Sequence, residues 1–449
     1  MTAPVVGLVA DDLTGAADSA VQFARDGWAP RLALGTGDTA VCGSGSVTAV
    51  VTDARALGDT AARAVTRAAV HDLVREGAEL VFVKIDSTMR GSVGAQVQGA
   101  LEAWRVEHPD AFAVVTPAYP AMGRTVLRGT LLVDGAGVET TAVGRDPVTP
   151  VTTSDLAALV PGGVGVAVDG DDARATARRF AAAAAASGSG VLIVDAETDD
   201  ELRTVAGAVA VLGADAVPVG SAGLAVTVSQ AWGEGLPRPT PGVPSSSPHV
   251  VVVMSSLHDA SRGQHEHLLQ AWGEGSRAGR PFVRVVAPTL DEARAGDLDA
   301  ALVRSPAGPP SRDSTAGPRL TVVLAPPRAD GGSTPTTSPD QDAPTDAERV
   351  AAALAALTDR VVDGHGDVAL VLVGGEGARA VLRRAGADAV LVRGALREGV
   401  PWGTLEGGRL DGRPVVTKAG GFGPATTIAD VVADLLDPPS PHDRERDPS

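Results

Sequence analysis

The sequence predicts an α/β protein of two domains, each a mainly parallel sheet flanked by helices. Three observations carry that prediction. Short apolar runs alternate with Ala-rich helical stretches along most of the 449 residues, which is the pattern of βα units. Several of those runs, such as Val368–Val373, are wholly apolar, as suits strands covered on both faces. A Pro-, Gly- and Ser-rich stretch at Gly233–His249 breaks the pattern, which restarts after it. Neither a helix nor a sheet interior tolerates that composition, so it reads as an interdomain linker.

The elements follow in order. Val5–Ala10 reads as a strand, Thr14–Asp26 as a helix, Val47–Thr52 as a strand and Thr60–Glu76 as a helix. Leu80–Ile85, a helix around Gly94–Val106, and Phe112–Thr116 continue the alternation. Then come the strand Gly163–Val168, the helix Ala173–Ala186, the strand Val191–Asp195, the helix Asp199–Leu212 and a Gly-rich turn at Gly220–Gly223. Residues 1–232 form the first predicted domain and 250–436 the second. The second opens on the strand Val250–Met254, the helix Ser261–Trp272 and the strand Phe282–Val286. Leu320–Leu324, Asp346–Val362, Val368–Val373 and Ala378–Ala385 alternate strand and helix after that. Ser305–Pro318 and Pro326–Pro344 read as surface insertions, and 437–449 as a disordered tail.

Composition excludes several classes of function. With 38 basic and 55 acidic side chains the formal charge is −17, which disfavours nucleic acid and anionic membrane surfaces. One cysteine, Cys42, cannot form an internal disulfide or a cysteine-built metal site. No apolar run reaches the ~20 residues that span a bilayer, and no secretory signal pattern opens the chain. A cytoplasmic location is expected. A homo-oligomer is left open. Only two lysines, Lys84 and Lys418, stand against 36 arginines, so these two mark places where a compact ammonium is wanted. Val83 and Thr417 precede them where a P-loop needs glycine, so a nucleoside triphosphate would be held without a P-loop.

Five segments concentrate polar chemistry at predicted strand ends, where open α/β sheets place ligands. Asp11 and Asp12 follow the first strand; Thr14 or Asp12 can cap the next helix, but two adjacent acids exceed that need and can take a proton or hold a divalent cation. Lys84–Gly91 packs Lys84, Asp86, Ser87, Thr88 and Arg90 around a turn. An Asp86–Arg90 ion pair with a helix cap would explain part of it. The full cluster reads as recognition of a small polyhydroxy anion, with Arg90 forking a carboxylate and Asp86 and Ser87 bonding hydroxyls. Pro117–Thr125 presents Arg124 on a proline-stiffened loop. In the second domain, Gly374-Gly375-Glu376-Gly377 and Lys418-Ala419-Gly420-Gly421 follow strands as glycine-rich turns. Such turns let backbone N–H groups approach phosphate. Ser256, ending the domain's first strand, can add a hydroxyl.

Taken together, ADDLTGA at 10–16, KIDSTMRG at 84–91, PAYPAMGRT at 117–125, GSAGLA at 220–225, GGEGARAVL at 374–382, GVPWG at 399–403 and TKAGGFG at 417–423 resemble the four-carbon acid sugar kinase family. The resemblance implies an ATP-dependent kinase acting on the terminal hydroxyl of threonate, erythronate or 3-oxo-tetronate in carbohydrate catabolism. It implies a sugar-acid-binding first domain and an ATP-binding second domain, with the ligand cleft between them and Mg²⁺ bridging the phosphates. By resemblance, Asp11, Asp12, Lys84, Asp86, Ser87, Arg90 and Arg124 fall on the sugar side. Ser256, Gly374, Gly375, Glu376, Gly377 and Gly420 fall on the nucleotide side, where Lys418 and Gly421 belong to the same turn. Asp12 or Asp86 would accept the hydroxyl proton, with Lys84 near the reacting oxygen. Three positions depart from the pattern. Met254-Ser255-Ser256 replaces Ser-Gly-Ser, Gly377 replaces a threonine, and Gln96 replaces an acid. The competing readings are a dinucleotide-dependent oxidoreductase built on Gly375–Ala380 and a sugar-acid sensor without catalysis.

Overall fold

The computed structural model describes residues 3–35, 43–146, 148–168, 170, 172–238, 242–273, 283–305, 320–327, 345–363 and 365–437. Apart from Ser305, Pro326, Pro327 and Asp437, the expected insertions and tail lie outside the described residues. The chain divides into two compact units, Met1–Pro241 and Gly242–Ser449.

The first unit carries strands β1 (Val6–Ala10), β2 (Ala29–Ala33), β3 (Ser46–Val51), β4 (Leu80–Lys84) and β5 (Phe112–Thr116). A small antiparallel sheet follows, of β6 (Arg124–Leu127), β7 (Thr130–Val133) and β8 (Ala136–Gly137). Then come β9 (Val164–Val166), β10 (Val191–Val194) and β11 (Ala216–Gly220). The helices are α1 (Leu13–Arg25), α2 (Asp59–Arg75), α3 (Val93–Trp104), α4 (Leu156–Leu159), α5 (Ala173–Ser187), α6 (Asp199–Leu212) and α7 (Ala222–Trp232). The main sheet is parallel in the order β2-β3-β1-β4-β11-β5-β10-β9. Every residue of β1 is buried, because helices cover both faces of a parallel sheet. Helix α2 lies so close over β1 that a Cβ on Gly7 would come within 3.0 Å of Leu73. The chain leaves β1 toward β2 and β3, then crosses back to β4 on the other side, so the sheet's switch point falls between β1 and β4.

Strand β2 and the β6–β8 meander were not expected from periodicity. The meander turns at Arg128-Gly129 and Asp134-Gly135, all four residues having positive φ, as type I′ hairpin turns require. Asp134-Gly135 is thus a hairpin signal that the apolar pattern alone misses.

The second unit carries β12 (His249–Met254), β13 (Val283–Val286), β14 (Leu320–Leu324), β15 (Val368–Val373), β16 (Ala389–Arg397), β17 (Val400–Glu406) and β18 (Pro414–Lys418). Its helices are α8 (Asp259–Trp272), α9 (Leu290–Ala295), α10 (Asp299–Arg304), α11 (Asp346–Val362), α12 (Gly375–Arg384) and α13 (Thr427–Leu436). The order is β13-β14-β12-β15-β18-β17-β16. It is parallel from β13 to β18 and antiparallel at β16–β17 and β17–β18. Val250, Val252 and Met254 point into a core with Leu268, Ile428 and Val432. The switch point here lies between β12 and β15.

Candidate active site

In the first unit, register brings the sequence motifs to one edge. Ala10 pairs with Val51 and Lys84, Lys84 with Gly220, and Gly220 with Thr116. The residues just beyond β1, β3, β4, β5 and β11 therefore lie side by side at the carboxyl ends of the strands. Asp11, Asp12, Lys84, Asp86, Ser87 and Arg90 all belong to this edge.

Their hub is a residue that the sequence reading missed. Arg55, in a short helical turn after β3, forks Asp11 through Nε and Nη2 at 2.9 and 2.8 Å. The same guanidinium donates to Asp12 at 2.8 and 3.0 Å and reaches Asp86 at 3.6 Å. Burial opposes its charge, but Asp12, Asp11 and Asp86 outweigh that and raise its affinity for the proton. Gly91, at φ +85°, makes room for this turn, since a Cβ there would lie 2.6 Å from the Arg55 carbonyl oxygen. One signal for Arg55 was available: it follows a predicted strand, as Asp11 and Asp86 do.

The three acids differ. Asp11 is fully buried, and that burial raises its pKa despite Arg55, with Asp12 adding to the rise. Asp12 caps α1 by accepting from Gly15 N at 2.8 Å and keeps 28% of its side chain exposed. Asp86 accepts from Thr88 N at 3.1 Å, from Thr88 Oγ1, and from Arg90 Nε and Nη2 at 3.0 and 2.9 Å. Burial would push its carboxyl up, but Arg55 and the Arg90 fork hold it well below the usual carboxylate range.

That fork departs from the expectation for Arg90. Its bidentate face meets Asp86, and Nη1 points to Asp146 at 3.5 Å, because a carboxylate four residues upstream satisfies it locally. Ser87 is half-buried, with no side-chain hydrogen bond among the described residues. Lys84 is buried and donates to the Ile85 carbonyl at 2.8 Å. A Cβ on Gly15 would come within 2.9 Å of its Nζ, so that glycine leaves space for the ammonium. Arg124, on β6, donates to the Met122 carbonyl and forms no ion pair among the described residues. Its loop is fixed by Ser221, which caps α7 and donates to the Ala118 carbonyl at 2.8 Å.

The second unit repeats the device. Met254 pairs with Val373, and Val373 with Lys418, so Ser255, Ser256, Gly374–Gly377 and Ala419–Gly421 share one edge. Gly374 has φ +101°, and its N–H donates to the Lys418 carbonyl at 3.0 Å. Ser256 Oγ sits 1.9 Å from where a Cβ on Gly420 would be, so only glycine allows that approach. Helix α8 holds the turn: Ser261 donates to the Gly420 carbonyl, and the buried Gln264 amide reaches the carbonyls of Phe422, Gly423 and Pro424. Ser261 and Gln264 carried no sequence signal. Lys418 Nζ bonds the Ala419 carbonyl at 2.7 Å, and burial pushes its pKa down to about 8. Glu376, in the first turn of α12, is raised by burial and then by Glu348. Among the described residues no cluster of three His, Cys, Asp or Glu side chains is placed to hold a metal ion, and no helix is long and apolar enough to cross a membrane.

Comparison with known proteins bears on both units. Residues 6–228 match the sugar-binding N-terminal domain family, and residues 251–428 the nucleotide-binding C-terminal domain family. A D-threonate kinase of Bordetella bronchiseptica is 38% identical over 94% of this chain and 95% of its own. The chain belongs to the four-carbon acid sugar kinase family. A D-erythronate kinase of Heliobacterium modesticaldum is 27% identical over 96% of this chain and 97% of its own. A solved Haemophilus influenzae protein shares the fold, with a TM-score of 0.66 at 20% identity, covering 96% of this chain and 100% of that one.

Against the family's pattern, the three departures are now placed. Gln96 is buried in α3, its amide nitrogen without a partner among the described residues. Ser255 and Gly377 meet each other in the second unit.

Proposed function

We propose that this chain is an ATP-dependent kinase that phosphorylates the terminal hydroxyl of a four-carbon sugar acid, with a threonate-type substrate favoured by the 38% identical relative. The observation that carries the reading is the polar cluster at the β1/β4 switch point of the unit that matches a sugar-binding domain. Neither the oxidoreductase nor the sensor alternative gains support from any observation above.

In this reading the substrate hydroxyl oxygen forms a bond to the γ-phosphorus while the bond to the β-phosphate oxygen breaks and ADP departs. Catalysis then rests on positioning and charge stabilisation. Asp12 takes the hydroxyl proton. It is more exposed than Asp86, 28% against 9%, and Asp86 is held too acidic to be an effective base. Asp11 and Asp86 aim Arg55 and Arg90 rather than touch the reacting atoms. Arg124 holds the substrate carboxylate, Ser87 bonds a hydroxyl, and Lys84 faces the charge developing on the transferred group. In the second unit Ser256, Gly374, Gly375, Glu376, Gly377, Gly420 and Gly421 shape the phosphate-binding turns, and Lys418 contributes its ammonium. Mg²⁺ entering with the nucleotide supplies charge neutralisation. Asp11, Asp12 and Asp86 are all engaged by arginines, and Asp12, the most exposed of them, is the residue that would hold such an ion.

The test is ADP release with ATP–Mg²⁺ across D-threonate, L-threonate, D-erythronate and 3-oxo-tetronate. Substrate-dependent ADP formation with at least one acid is expected. Background rates with all four, alongside calorimetric binding of NAD(P), would overturn the kinase reading.

A further inference from the structure

Ser255 and Gly377 compete for one side-chain volume. A Cβ built on Gly377 would lie 2.3 Å from Ser255 Cβ and 2.4 Å from Ser255 Oγ. Real Cβ atoms do not approach neighbours so closely, so while Ser255 stands, residue 377 has no space for a side chain. The serine is firmly seated. Its N–H donates to the Val373 carbonyl at 3.0 Å, its hydroxyl donates to the same carbonyl at 3.0 Å, and the Gly374 carbonyl lies 3.4 Å from that hydroxyl. A Cβ on Gly374 would also strike it, at 2.5 Å. One side chain at the end of β12 thus crowds two of the three glycines that open α12.

Ser255 and Gly377 are thus fitted to each other, the serine filling the volume that a side chain at 377 would need. The hydroxyl beside the first turn of α12 is delivered from the end of β12 rather than from the helix itself.

We propose that Ser255 is the positioning residue of the glycine loop at Gly374–Gly377, and that Ser255 and Gly377 are functional only as a pair. The functional half of this inference rests on the nucleotide-binding reading of the second unit; the packing half does not. Ser255 holds the Val373–Gly374 carbonyls in line, which keeps the backbone N–H groups of the following turn oriented for phosphate. Threonine at 377 would clash with Ser255 and displace that turn. Glycine at 255 would leave the carbonyls without their hydroxyl.

A double-mutant cycle on the full chain tests this. The proteins are wild type, Ser255→Gly, Gly377→Thr and Ser255→Gly/Gly377→Thr, read by denaturation midpoint, by ADP–Mg²⁺ calorimetry, and by KM for ATP against KM for the sugar acid. Gly377→Thr should weaken ADP binding by about tenfold or more, Ser255→Gly by several-fold, and the double variant should return to within about threefold of wild type. The KM for ATP should follow the same order, while the KM for the sugar acid stays unchanged. Gly377→Ala, alone and with Ser255→Gly, repeats the cycle with the smallest possible clash should the threonine variant fold poorly. Additive losses in the double variant, or a Gly377→Thr protein indistinguishable from wild type, would overturn the pairing. If the wild-type chain bound no nucleotide at all, the kinase reading would fail, and the denaturation midpoints would still decide whether the two residues are coupled.

Discussion

Replacing Arg55 with methionine tests the architecture of the first unit most directly. The substitution keeps much of the aliphatic stem and removes the guanidinium that forks Asp11 and bonds Asp12. Asp12 is partly exposed, so its share is at most about 1 kcal/mol. Asp11 is 1% exposed, and leaving its charge unpaired costs about 3–5 kcal/mol. A ceiling follows from titration, because the carboxyl can instead fold in neutral form. From its ordinary value of 3.8, that costs at pH 7 about 1.36 × 3.2, or ~4 kcal/mol, and at pH 5 only ~1.6 kcal/mol. In the variant the folded state then binds a proton that the unfolded state lacks, so stability relative to wild type is lost as pH rises. Urea denaturation at pH 5, 6 and 7 should therefore show a deficit that grows with pH, by at most about 1.4 kcal/mol per pH unit, because burial already raises Asp11 in the wild type. Adding Asp11→Asn should remove both the slope and most of the deficit. A deficit below about 1 kcal/mol at pH 7, or one flat across this range, would refute the claim that Arg55 exists to hold a buried carboxylate.

Further outcomes are expected on the same reasoning. Asp12→Asn should lower kcat by about 10²-fold or more with ADP affinity preserved, measured by steady-state kinetics and calorimetry. Arg124→Ala should raise the KM for the sugar acid by about 10–100-fold, equivalent to ~1.5–3 kcal/mol for a charged hydrogen bond, with little change in KM for ATP. Lys418, with its pKa pushed down to about 8, is mostly charged at pH 7 and loses its proton as pH rises past 8, where bound phosphates would favour keeping it. ADP affinity should then fall as pH rises above 8, and Lys418→Met should abolish that dependence. His249 is pushed down to about 4 by burial, then by His365 and Arg284, with its Nε2 on Thr321 Oγ1 at 3.0 Å. Its neutral form favours folding, so stability should be full above about pH 6.5 and decline as pH falls toward 4, by roughly 3 kcal/mol in all, a decline that His249→Gln should flatten.

What could be read in the sequence was whatever depends on near neighbours. The parallel strands declared themselves as apolar runs, and Asp11, Asp86, Ser256 and Gly374 were placed at sheet edges because each follows such a run. The Asp86–Arg90 pair was also legible, being an i, i+4 contact, although Arg90 was assigned to the substrate. Arg55 was not legible. It meets Asp11 across 44 residues of chain, and only the parallel register of β1 and β3 makes them neighbours. Ser261 and Gln264 were hidden for the same reason: their partners lie about 160 residues away on the β18 turn. The β6–β8 meander failed differently. Its strands are four residues or fewer, too short for a period to show, and its turns carry the signal instead.

The charge balance of the first unit explains why its acids and its cations divide into two groups. Asp11, Asp12 and Asp86 are met within the chain by Arg55 and Arg90. These pairs fix loops that leave three different strands, β1, β3 and β4, and their mutual attraction holds the edge together. Lys84 and Arg124 stand outside that set: each donates to a backbone carbonyl, and neither forms an ion pair among the described residues. A sugar acid brings one carboxylate, and phosphoryl transfer adds negative charge on the migrating group. Two cations held by neutral partners are the groups able to meet those two charges without first breaking an ion pair, whereas Arg90 would have to abandon a buried carboxylate to do so. On this ground we propose Arg124 rather than Arg90 for the substrate carboxylate, since Arg90 already holds Asp86 and Arg124 holds no acid among the described residues.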